Sequence, residues 1–143
     1  MNTNTQKVID HLEMNIKSKI APSPIHGIGV FAIKDIQKGE QVFPQWDGET
    51  GVYMIPKDKL KNLPEGVKDL LDMYFINEDC GYKLFRLFKG INFICHSVSY
   101  CNSAYPKQEN VNITTDGVAT RDIKEGEEIL EWYTANLDLE NLK

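Results

Sequence analysis

Four stretches of the chain carry residue types that could do chemistry. The first is Pro24-Ile25-His26-Gly27-Ile28-Gly29-Val30, two closely spaced glycines just ahead of a run of β formers. Glycine has no Cβ, so backbone there can come close to a ligand. It is not a phosphate loop. It lacks the further glycine and following helix of a dinucleotide fingerprint and the Gly-Lys-Ser/Thr of a P-loop. Taken alone the signal is weak, and an ordinary tight turn is the favoured reading. The second is Cys95-His96-Ser97, where a thiol adjoins an imidazole. Adjacent residues on a strand point to opposite faces, which disfavours a nucleophile–base pair. A buried, hydrogen-bonded histidine is the simpler reading of His96. The third is Glu131-Trp132-Tyr133, closing an apolar run. A tyrosine there is ordinarily core, with its hydroxyl bonded. The fourth is the set of three cysteines, Cys80, Cys95 and Cys101, whose spacing matches no C-x-x-C zinc pattern. His11 and His26 are distant in sequence, so no metal site is expected. Free thiols in odd number fit a reducing compartment.

These residues need elements to position them. Val8, Ile9, Leu12 and Ile16 fall near helical spacing, which predicts a short N-terminal helical arm over residues 1–15. From Ile16 the texture becomes short β runs between turn signals. Strands are expected at Ile16–Ala21, Gly29–Ile33 and Gln41–Trp46, the last weakened by Pro44. Residues 57–76 differ: Val67, Leu70, Leu71 and Tyr74 mark one helical face. Strands are expected again at Tyr82–Phe88, Ile91–Ile94, Val111–Thr115, Val118–Arg121 and Glu128–Tyr133. Asp116-Gly117 reads as a two-residue hairpin turn. A terminal helical turn is expected at Ala135–Leu142. The result is a β-rich domain with one helical insert at about 54–80, not a βαβ layout. Residues 16–143 read as a single domain behind the arm.

One internal echo stands out. Lys34-Asp35-Ile36-Gln37-Lys38-Gly39-Glu40 and Arg121-Asp122-Ile123-Lys124-Glu125-Gly126-Glu127 share the pattern basic-Asp-Ile-x-x-Gly-Glu. Each joins two strands. Isoleucine can pin the connection to the core while glycine takes a turn conformation closed to other residues. A repeated good turn is enough to explain it.

Composition narrows the class. The chain has 143 residues, 41% of them hydrophobic and 26% charged, values of an ordinary globular domain able to bury a core. No apolar run reaches the length of a membrane span, and the N-terminal stretch has no apolar signal-peptide centre. An intracellular setting, nucleus or cytoplasm, is expected. The net charge of -5 lies wholly in residues 116–143, which carry 3 basic and 8 acidic residues. A basic nucleic-acid footprint is absent. An acidic end suits a basic peptide partner, although a solvated acidic surface accounts for the charges alone.

Taken in order, the glycine turn, Lys-Asp-Ile-x-x-Gly-Glu, Trp46-Asp47-Gly48-Glu49, the helical insert, Asn92-Phe93-Ile94-Cys95-His96-Ser97 and ATRDIKEGEEILEWY ending at Tyr133 resemble the SET domain of protein-lysine methyltransferases. The likeness runs from about residue 17 to about residue 134. The ILEWY ending and the Tyr100-Cys101-Asn102 stretch lean to the PR-domain branch. The resemblance implies small curved β-sheets with a threaded C-terminal segment. It implies S-adenosylmethionine as methyl donor, no metal, and a lysine side chain of a histone or other protein as acceptor. The backbone at His26, Gly27 and Ile28 would approach the cofactor. Trp46 takes the family's Tyr-x-Gly position, and Cys95-His96 the Asn-His position beside the adenine. Tyr133 matches the catalytic tyrosine.

Three positions depart from the family pattern. Cys95 replaces the motif asparagine, Trp46 replaces a tyrosine, and Glu131 stands where many relatives carry the Phe or Tyr that limits methyl number. These motivate an alternative: a catalytically degenerate SET fold that binds a peptide or protein. Residues 134–143, or a neighbouring chain in a homodimer, would close the lysine channel. No direct nucleic-acid or membrane partner is implied.

Overall fold

The computed structural model describes residues 3–44, 46, 48, 51–74, 82–87 and 101–132. They fall into two compact units, one of residues 1–17 and 44–96 and one of residues 18–43 and 97–143.

In the first unit, the apolar spacing near the N-terminus folds into helix α1 (Thr3–Met14). Val8, Ile9, Leu12 and the following Ile16 are all buried, as the periodicity requires. The Asn15 amide donates to the His11 carbonyl (2.8 Å) at the helix end. Strand β3 (Gly51–Pro56) buries Tyr53 and Ile55 while Met54 between them is exposed, the alternation of a half-buried strand. A 3-10 turn at Lys57–Leu60 leads to helix α2 (Glu65–Tyr74). Pro64 precedes its first residue, and the Pro64 carbonyl accepts from the amides of Val67 (3.0 Å) and Lys68 (3.1 Å). Val67, Leu70 and Leu71 are the buried face. Strand β4 (Tyr82–Leu87) returns antiparallel to β3, from Gly51 opposite Leu87 to Pro56 opposite Tyr82. The insert is thus a helix carried between two paired strands.

The second unit holds the larger sheet. Its strands are β1 (Ser18–Pro22), β2 (Ile28–Ala32), β5 (Asn102–Ser103) and β6 (Glu128–Glu131), in the order β1-β2-β6-β5. β1 and β2 form an antiparallel hairpin, and β2 pairs antiparallel with β6. β5 runs parallel to β6, Asn102 opposite Leu130. Val30 and Ile129 oppose each other on the central pair and are fully buried. Each such side chain contributes roughly 1.5–3 kcal/mol by leaving water. Around them cluster Ala32, Ile36, Val42, Phe43, Cys101, Ile113, Ala119 and Ile123.

The echo has a structural meaning beyond a repeated turn. Its two copies pair with each other. Ile36 and Ile123 exchange both backbone hydrogen bonds, at 2.7 and 2.8 Å. The Asp122 carboxylate accepts from the Lys38 amide and the Asp35 carboxylate from the Glu125 amide, both at 2.9 Å. Gly39 and Gly126 both sit at φ +91, and their amides donate to Ala119 and Ala32 carbonyls, each at 2.8 Å. The second unit is therefore closed by a clasp with local two-fold symmetry, each half capping the other.

Three strand expectations need correction. The described residues of Gln41–Trp46 form no strand: Gln41 makes a single bridge to Val118. The Gln41 side chain accepts from the Phe43 amide (2.9 Å), diverting a donor that a ladder would use, and Pro44 has none to give. Residues 111–115 and 118–121 share only the bridge Ile113–Ala119 rather than forming two full strands. Their turn spans Thr114–Gly117, closed by the Gly117 amide on the Thr114 carbonyl (2.9 Å), with Gly117 at φ +81. Glycine lies after the turn's centre as a bulge residue, so the loop has three residues, not two. The expected strand at Ile91–Ile94 and turn at Ala135–Leu142 lie outside the described residues.

Candidate functional site

The glycine turn lies in the second unit, between β1 and β2. It closes through the Ser23 amide, which donates to the Gly27 carbonyl (2.9 Å). Gly27 sits at φ +47, where other residues are strained. The Ser23 hydroxyl oxygen accepts from the Ile25 amide (3.0 Å), a local side-chain turn typical of serine. It lies 3.5 Å from the His26 amide.

Behind the turn stands a part-buried polar brace. The Ser23 hydroxyl donates to the Glu128 carboxylate, 2.6 Å from Oε1 and 2.9 Å from Oε2. The short distance is that of a charge-assisted bond. The Asn102 amide nitrogen lies 3.0 Å from the His26 carbonyl, 3.0 Å from the Ile28 carbonyl and 3.1 Å from Glu128 Oε2. Two residues of the turn are thus held by one side chain from β5 and the same carboxylate from β6. Gly29 makes room for it. A Cβ at that position would lie 2.7 Å from Glu128 Oε2 and 3.0 Å from Asn102 Nδ2.

Among the described residues, nothing covers the other side of the turn. Ile25, His26 and Ile28 are exposed, and a Cβ built on Gly27 would meet nothing within 4 Å. A ligand laid along residues 26–28 meets bare backbone whose carbonyls are already tied from behind. The turn therefore presents exposed main chain held in place by Asn102 and Ser23.

Two further described polar residues of this unit, Asn112 and Cys101, are buried. Asn112, almost wholly buried, donates to the Glu128 carbonyl (2.9 Å) and accepts from the Leu130 amide (2.8 Å), threading β6 onto the loop before it. The Cys101 thiol is buried, and burial followed by the nearby Glu131 and Glu128 carboxylates pushes its pKa far up. It stays protonated and is no nucleophile. Burial also raises the Glu131 carboxyl above its ordinary range. The rings of Tyr105 and Trp132 meet at 5.5 Å beside the ends of β5 and β6.

Of the residues expected at the site, His26, Gly27 and Ile28 come together on the exposed turn. Trp46 belongs to the first unit, where its ring meets that of His11 edge-on at 5.3 Å. Cys95, His96 and Tyr133 lie outside the described residues. Sequence reasoning missed Ser23, Asn102 and Glu128 as members of the site. The available signal was chemical: an Asn and a Glu set among strand residues must find partners, and the glycine turn contains a serine and bare carbonyls that supply them.

The family model for the SET domain matches residues 27–134. Many solved structures resemble the chain, two of them as follows. One is a candidate histone methyltransferase of Plasmodium falciparum, 19% identical, covering 82% of this chain and 92% of its own, with a TM-score of 0.37. The other is the methyltransferase domain of human PR domain-containing protein 2, 20% identical, covering 86% of this chain and 82% of its own, with a TM-score of 0.40. Among curated proteins none matches.

Proposed function

Because the chain belongs to the SET domain family, whose members are generally protein-lysine methyltransferases, we propose that it transfers a methyl group from S-adenosylmethionine to a lysine of a histone or another protein. The observation that carries this reading is the turn at Ser23–Gly29: open in front, with bare backbone at Gly27, and fixed from behind by Asn102 and Glu128. Bound S-adenosylmethionine would supply a methyl group on a sulfonium, an electrophile needing no metal.

The chain's own task is then to hold and orient. Residues 26–28 offer the main-chain surface for the cofactor, with Trp46, Cys95 and His96 assigned to the same ligand by the family motif. Tyr133 orients the lysine amine in line with the methyl. That amine must be neutral to attack, although free lysine titrates near 10.4. A dry channel lowers this value by penalising the ammonium. The reaction thus requires exclusion of water and alignment rather than a general-base carboxylate. The setting we propose is intracellular; among the described residues no helix is long and apolar enough to cross a membrane.

Calorimetric titration with S-adenosylmethionine tests the first half. One-to-one binding is expected. Methyl transfer to a lysine-bearing protein, lost in Tyr133→Phe with cofactor binding retained, tests the second. A wild-type rate in that variant refutes the role of Tyr133. The second reading, a binding module without catalysis, is favoured by Cys95 in the motif asparagine position, since a thiol is a poor hydrogen-bond substitute for an amide. It predicts partner binding with no cofactor affinity.

A further inference from the structure

We propose that Glu128 is a positioning residue for the cofactor, acting through Ser23 and Asn102 to hold the turn at residues 23–28 in its receptive shape. The inference rests on the cofactor reading of that turn. No family-motif role assigned above includes Glu128 or Ser23.

The argument is one of connectivity. Ser23 and Glu128 are 105 residues apart in sequence, yet a hydroxyl–carboxylate bond of 2.6 Å joins them. The same hydroxyl oxygen receives the Ile25 amide, so the carboxylate orients the hydroxyl and the hydroxyl orients the turn's backbone. Asn102 repeats the arrangement from the other side. Its amide nitrogen lies 3.1 Å from Glu128 Oε2 and 3.0 Å from the carbonyls of His26 and Ile28. The carboxylate is therefore the common partner of Ser23 and Asn102, the two described side chains that bond the turn's backbone. Residues 24–28 pack little side-chain mass of their own, with Ile25 and Ile28 about half exposed. Among the described residues, the side-chain contacts that hold this backbone run through Ser23 and Asn102, and both of these meet Glu128.

A turn that must present its backbone to a ligand loses affinity when it samples other shapes, by the fraction of time it is incompetent. Loosening the brace should therefore weaken cofactor binding while the buried sheet stays intact. Gly29 supplies an independent handle. An added methyl would press on the end of the Glu128 side chain, at 2.7 Å, and displace the carboxylate without removing it.

The experiment is calorimetric titration of S-adenosylmethionine and S-adenosylhomocysteine into wild type, Ser23→Ala, Ser23→Thr and Gly29→Ala, with melting temperature and amide hydrogen exchange measured on each. Ser23→Ala and Gly29→Ala are expected to raise Kd about tenfold, and exchange at Ile25 and His26 should quicken. Ser23→Thr keeps the hydroxyl and should restore Kd to within threefold of wild type, a rescue that a general loss of packing does not produce. If Ser23→Ala does not fold, Gly29→Ala against Ser23→Thr carries the comparison. Wild type that binds, with folded variants binding equally well, overturns this inference alone. Equal loss in Ser23→Thr also overturns it. Wild type that binds neither compound overturns the cofactor reading, and this inference with it.

Discussion

Replacing Asn112 by alanine should destabilise the second unit by about 3 kcal/mol. Asn112 is 1% exposed, and both ends of its side-chain amide serve the backbone of β6. Nδ2 satisfies the Glu128 carbonyl at 2.9 Å, and Oδ1 satisfies the Leu130 amide at 2.8 Å. Alanine keeps the backbone bonds of residue 112, which run from its amide to the Leu130 carbonyl and from the Thr120 amide to its carbonyl. It removes only the two side-chain bonds. Each leaves a buried backbone group without that partner, at a cost of about 1–3 kcal/mol. Partial relief by the other ladder bonds of β6 puts the sum at about 3 kcal/mol. For a chain of this size that corresponds to roughly 10 °C in Tm. Urea denaturation is the assay, with the slope of the transition required to match wild type so that the midpoint reports stability. A loss below about 1 kcal/mol at unchanged slope would refute the reasoning, because it would mean that β6 does not depend on the Asn112 side chain.

The symmetric clasp makes a paired prediction: Asp35→Ala and Asp122→Ala should each cost about 0.5–1 kcal/mol, and nearly the same amount, since each carboxylate accepts one amide of the opposite copy at 2.9 Å. Chemical denaturation of the two variants side by side checks this, and a difference above about 1 kcal/mol contradicts the symmetry. Cys101 should resist iodoacetamide at pH 8 in the folded protein and react once it is unfolded, as read by peptide mass mapping. Its raised pKa has a linkage consequence with a definite sign: stability is unaffected below the thiol's ordinary value near 9 and falls as pH climbs above it, because only the unfolded chain ionises there. For Glu131 the folded pKa is raised, so its contribution is present below the ordinary carboxylate range and lost as pH rises through the folded value. Glu131→Gln should therefore raise Tm slightly at pH 7 and leave it unchanged near pH 3. An unchanged Tm at pH 7 would count against burial as the cause.

Much of this protein was legible before any fold was seen, and the reason is locality. Helix α1 and helix α2 follow from apolar residues recurring once per turn, a property of a single segment. The strands β1 and β2 and the turn between them follow from β formers flanking Pro22-Ser23-Pro24 and the two glycines. Positive φ at Gly27, Gly39 and Gly126 belongs to the same class, since steric limits act residue by residue. The order of the motifs was enough to point to the SET family. Pairing across long distances was not legible. Nothing in the echo announced that its two copies would bind each other, because Ile36 and Ile123 meet only after the 86 intervening positions of chain are folded back. Gln41–Trp46 carried strand-forming residues, yet Gln41 spends its side chain on the Phe43 amide and on the Asp116 carbonyl once the loop at residue 116 is beside it. The brace is the clearest case. Ser23, Asn102 and Glu128 are each unremarkable polar residues in the chain, and each is placed by a different element. Hydrogen bonds select partners by distance and direction within about 3 Å. Such selection exists only where tertiary structure has already brought β5 and β6 behind the turn. The types and spacing of residues determined that a tight glycine turn joins β1 and β2, while the packed sheet decided what holds that turn in shape.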